Sequence, residues 1–130
     1  MRTITRVITA VALPVLAVSL SSCGSSKEPK SIEDLAAAVE KSGYSCQKPF
    51  NDPDYPGETE MQCTGDIGVI WYDTAEGEVD SYSNAESIYK DLGIPYLTIR
   101  GDTWHILGQE SDLTKIASSM GAEVSAGGAR

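Results

Sequence analysis

Three stretches of this chain place apolar residues at helical spacing. Ile32, Leu35, Ala36 and Val39 fall at i, i+3, i+4 and i+7 behind Ser31, an N-capping residue type. Glu33 and Asp34 occupy the first turn, where the helix dipole favours anions, and Gly43 provides the stop. Ala85, Ile88, Tyr89 and Leu92 form a second stripe behind Ser83-Asn84-Ala85-Glu86, which has the form of a capping box. This helix is expected to end at Gly93, with Pro95 beyond. Leu113, Ile116, Ala117 and Met120 make a third stripe, opening near Ser111 and closing at Gly121.

Between the helices the period changes to two. Tyr44-Ser45-Cys46 reads as a short strand. A first hairpin is expected from Thr59 to Tyr72 around Gly65-Asp66, and a second from Tyr96 to Leu107 around Gly101-Asp102. With Gly101-Asp102 at the tip, Arg100 opposes Thr103, Ile99 opposes Trp104, Thr98 opposes His105 and Leu97 opposes Ile106. Leu97, Ile99, Trp104 and Ile106 then share an apolar face, and Thr98, Arg100, Thr103 and His105 a polar one. The order is helix, strand, hairpin, helix, hairpin, helix. Each helix carries one apolar stripe, so the pattern predicts a small two-layer α+β domain. A mostly antiparallel sheet of about five strands would carry all three helices on one face.

The first twenty-three residues follow different rules. Arg2 and Arg6 precede an uncharged apolar run from Val7 to Leu20, and Ser21 and Ser22 lead into Cys23. The run is too short for a comfortable membrane span and suits a signal-peptide core. Leu20-Ser21-Ser22-Cys23 resembles the lipobox of bacterial lipoproteins processed by signal peptidase II. That resemblance implies removal of residues 1–22 and a diacylglyceryl thioether on Cys23, often with a further N-acyl chain such as palmitate. It places the mature protein on the extracytoplasmic face of the cell membrane or envelope. An ordinary signal peptide cut elsewhere is the alternative.

Residues 23–30 would be the lipidated cysteine and a flexible tether, 31–121 one α+β domain, and 122–130 a disordered, glycine-rich tail. The chain carries a net charge of −9, and losing Arg2 and Arg6 makes it two units more negative. Such a balance disfavours phosphate backbones, so no nucleic-acid partner is expected. Setting aside Cys23, an even pair remains, Cys46 and Cys63. In an oxidising compartment that pair reads as a disulfide clamping the proline-rich loop 47–58. In size, single disulfide and a Trp-bearing last strand before a short helix, the mature part is similar to small uncharacterised actinobacterial lipoproteins. That resemblance implies no activity.

Candidate chemistry is sparse. His105 is the single histidine, with no evident nucleophile or orienting group near it in sequence, and reads as an exposed strand residue. No catalytic motif is present, so no enzyme activity and no cofactor are expected. Asp52, Asp54 and Glu58 are weak metal candidates whose spacing departs from the EF-hand pattern. If nothing covers the outer sheet face, Ile70, Tyr72, Tyr96, Thr98, His105 and Leu107 would form a partly apolar patch able to meet a partner. The resulting expectation is a membrane-anchored binding module, with an envelope protein as a possible partner. A small-ligand or calcium receptor is the alternative, and an enzyme a remote one.

Overall fold

The computed structural model describes residues 28–128. The elements run α1 (Ile32–Lys41), β1 (Glu58–Cys63), β2 (Ile67–Tyr72), α2 (Ala75–Leu92), β3 (Pro95–Arg100), β4 (Trp104–Leu107), α3 (Glu110–Met120) and β5 (Ser125–Gly128). The strands form one antiparallel sheet in the order β1-β2-β4-β3-β5. The described residues therefore form an α+β domain of five strands and three helices, the class the hydrophobic pattern predicts. Cys23 and the segment preceding it lie outside the described residues.

The helix ends have local causes. Ser31 Oγ accepts the backbone N–H of Asp34, and Gly43 takes a left-handed φ of 104° just beyond α1. At the end of α2 the N–H groups of Gly93 and Ile94 return to the carbonyls of Lys90 and Tyr89, the Schellman pattern.

One sheet face holds the main core. Met61, Cys63, Ile67, Val69, Ile99, Trp104 and Ile106 pack there beneath Leu35, Val39, Leu113 and Ile116 of α1 and α3. The other face is closed by α2, whose Glu78 and Tyr82 reach Arg100 on β3. The expectation of all three helices on one face is thereby corrected: the domain has three layers, with the sheet in the middle. Helix α2 crosses over because its buried stripe is not the apolar one. Glu78, Tyr82 and Tyr89 face the sheet, whereas Ile88 and Leu92 are exposed.

Four further differences follow from local interactions. Helix α2 begins ten residues before Ala85, because Thr74 Oγ1 caps it by accepting the Gly77 N–H. Ser83-Asn84-Ala85-Glu86 thus lies inside the helix. The β3–β4 register is shifted by two residues, pairing Arg100 with His105, Ile99 with Ile106 and Thr98 with Leu107. The indole of Trp104 fills the space beside Gly101 where any Cβ would collide with it, and this lengthens the tip. An even shift leaves every side chain on its expected face. The stretch Tyr44–Cys46 forms only a single bridge, Cys46 to Cys63, rather than a strand. Finally, part of the expected disordered tail is strand β5, pairing Ser125 through Gly128 with Thr98 through Pro95. Its small residues let the backbone lie close under α2, where Gly127 touches Tyr82 and Glu86.

Candidate functional site

Cys46 and Cys63 form a disulfide, with Cα atoms 3.9 Å apart. The bridge closes the loop across the edge of β1, where Phe50 also pairs with Glu60. Closing a loop of this length contributes about 3 kcal/mol in the chain-entropy treatment.

The anticipated outer face is not open. Tyr72, Tyr96, Thr98 and His105 are buried beneath α2, and only Ile70 and Leu107 remain half-buried at its margin. The expected contact patch is thus an interior layer, and His105, expected to be exposed, is 1 % exposed. The cause is the polar alternation of β3 and β4. Arg100 and His105 stand opposite each other on that face, and Glu78 near the start of α2 supplies a hydrogen-bond acceptor to both.

A connected polar cluster fills this layer. Arg100 grips Glu78 with two hydrogen bonds, Nε to Oε2 at 2.8 Å and Nη2 to Oε1 at 2.7 Å. Its guanidinium also lies 3.6 Å from the centre of the Tyr82 ring, in cation–π geometry. His105 Nδ1 stands 3.2 Å from Glu78 Oε2, and its Nε2 stands 3.0 Å from the Tyr72 hydroxyl. The Tyr72 hydroxyl also bonds Ser81 Oγ at 2.8 Å. A carboxylate only accepts, so Nδ1 carries the proton that faces Glu78.

Burial shapes the titration of these groups. Desolvation lowers the His105 pKa below its ordinary value, against the opposing hydrogen bond and charge of Glu78. Tyr96 is pushed up to about 12, chiefly by burial and then by its neighbours Tyr89 and Tyr82. Tyr72 is also raised, mainly by burial. Arg100 is raised by its hydrogen bond to Glu78. Burial thus favours the neutral forms of the imidazole and the phenols, while the bond to Glu78 favours the charged guanidinium.

Sequence reasoning missed Glu78 and Tyr72 as the partners of His105, and Arg100 and Ser81 as the groups that bond those two in turn. The available signal was a polar face on two paired strands, which requires a polar element above it. The relay of carboxylate, imidazole and hydroxyls resembles acid–base machinery in composition. His105 and Glu78 are each 1 % exposed, and their bonds tie α2 to the sheet.

The acidic loop does not make a cage. Asp52 Oδ1 accepts the Asp54 N–H, and Glu58 is raised by burial and by nearby Glu60 and Asp52. Among the described residues no three His, Cys, Asp or Glu side chains converge to hold a metal ion. Also among the described residues, no helix is long and apolar enough to cross a membrane.

Among the described residues, large apolar side chains are exposed at Phe50 and Tyr55 in the disulfide loop, at Val79 early in α2, and as a group at the end of α2. Ile88 is 59 % exposed and Leu92 66 %, one helical turn apart, and Ile94 is exposed in the turn that follows. Searches against protein-family models, curated proteins and solved structures found no match to this chain.

Proposed function

We propose that this protein is a lipid-anchored module of the bacterial cell envelope, held at the extracytoplasmic face through Cys23, and that its domain acts by binding another envelope protein. The anchor reading is supported by the order of charged, apolar and small residues before Cys23. The Cys46–Cys63 bridge fits an oxidising compartment. The binding reading is carried by the exposed Ile88, Leu92 and Ile94 at the end of α2. Large aliphatic side chains at the rim of a charged domain gain by being covered. The enclosed Glu78–His105 cluster favours binding over catalysis, and the scattered carboxylates give the calcium alternative no support.

A photo-crosslinking residue at position 92 tests the binding reading in intact cells. The expected result is a discrete adduct with one envelope protein, lost in the Ile88→Glu variant while the domain's melting midpoint is unchanged. Adducts absent at position 92, or undiminished by Ile88→Glu, would refute it.

A further inference from the structure

The chain is tied to the domain earlier than a tether ending at residue 30 implies. Glu28, five positions after Cys23, accepts the indole N–H of Trp104 at 3.3 Å. Pro29 is half-buried, and the Lys30 N–H bonds the Asp34 carboxylate at 3.1 Å. Ser31 then caps α1 and Ile32 enters the core.

Trp104 opens β4 beside the Gly101–Thr103 tip. The same end of the sheet holds the start of β1 and the finish of β2. Glu58 pairs with Tyr72, the Tyr72 N–H bonds the Thr103 carbonyl at 2.7 Å, and the Asp73 N–H bonds the Gly57 carbonyl at 2.9 Å. Helix α2 runs away from this end. Its Glu78 meets Arg100, the last residue of β3, and its Tyr89 stacks with Tyr96 near the first. Eighteen residues of helix span roughly 27 Å, so Leu92 lies at the far end.

We infer that the Glu28–Trp104 contact sets the orientation of the domain on the membrane. The end bearing Gly57, Asp73 and the Gly101–Thr103 tip faces the lipid headgroups, and the Leu92 end faces away. The inference rests on the proposed lipid at Cys23. Five residue steps from Cys23 to Glu28 reach at most about 18 Å, so the clasped end stays near the surface. Beside the exposed side chains of Tyr55 and Val79, this end also carries the exposed carboxylates of Asp54, Asp73, Glu76 and Asp102. Anionic headgroups repel them within a Debye length of about 10 Å at 0.1 M salt. A short leash and like charge together hold the domain upright, close to the bilayer but not lying on it. The apolar residues Ile88, Leu92 and Ile94 are then presented outward.

The test uses the lipidated protein in vesicles containing anionic lipid, with a fluorescent donor placed through Asp102→Cys or Leu92→Cys and an acceptor dye on the headgroups. Flotation with the vesicles comes first. Protein that fails to float would overturn the anchor and the orientation with it. For floated protein, the donor at 102 should lie roughly 25 Å closer to the acceptor plane than the donor at 92, from the helix rise. Glu28→Ala should shrink that difference without shifting the melting midpoint. Equal transfer from the two sites in floated protein would overturn the orientation while leaving the anchor standing. A difference unchanged by Glu28→Ala would overturn the role of the clasp.

Discussion

Glu78 concentrates more of the domain's polar interactions than any neighbour in its layer, because one carboxylate serves both Arg100 and His105. Glu78→Ala leaves a guanidinium and an imidazole without their acceptor. Breaking one side of a buried pair typically costs 3–5 kcal/mol, and the 30 % exposure of the Arg100 side chain lets water recover part of it; a loss of about 3 kcal/mol in urea unfolding is expected. His105 titrates in the same layer. Its folded pKa lies below the value of about 6.5 expected when unfolded, so the fold prefers the neutral ring. Its contribution is complete above that unfolded value and is lost as pH falls towards the folded pKa. Urea midpoints measured at descending pH through this window should therefore fall for the wild type, and His105→Gln should flatten that part of the slope. Thr98 offers the opposite case. It is fully buried, and its hydroxyl has no hydrogen-bond partner among the described residues. Thr98→Val keeps the shape and removes the stranded oxygen. A gain of about 1 kcal/mol is expected, seen as a melting midpoint several degrees higher.

Among the elements, β5 has the least side-chain content and depends on its backbone. Ser-Ala-Gly-Gly adds a ladder to β3 and a floor beneath Tyr82 and Glu86. Deleting residues 125–130 should lower stability by about 2 kcal/mol, since a few net backbone hydrogen bonds at 0.5–1.5 kcal/mol each are lost. The tryptophan emission should meanwhile stay that of the intact core. Gly101→Ala should be costly for a different reason: its Cβ collides with the Trp104 ring, which is fixed in the core. Overpacking of this kind costs about 1–3 kcal/mol. These elements also show what the residue pattern could convey. Helices α1 and α3 were legible because their apolar stripes are the buried ones. Helix α2 was legible only in its second half, because a carboxylate and two tyrosines face inward while Ile88 and Leu92 face solvent. Its true start, Thr74 capping Gly77, was masked by an acidic run that reads as a loop. Strand β5 has no apolar alternation to detect, so its pairing was invisible. The site was legible as a set of residues sharing one face. Whether that face was open depended on α2, whose inward stripe was misread.

For the whole molecule, the disulfide and the clasp at Glu28 both tie irregular segments to the folded domain. Reducing Cys46–Cys63 should remove about 3 kcal/mol of stability, measurable as a lower urea midpoint in reductant. With the sheet covered, the proposed contact group at the end of α2 lies at the far end of that helix from the Glu28 clasp. The proposed function puts the protein outside the cytoplasm on a lipid at Cys23, and mass spectrometry of the native protein purified from its own membranes tests that proposal most directly. The account predicts a chain starting at Cys23, heavier by a diacylglyceryl group or more on that residue, with 46 and 63 joined. An unacylated chain recovered from the cytosol with both those thiols free would contradict it.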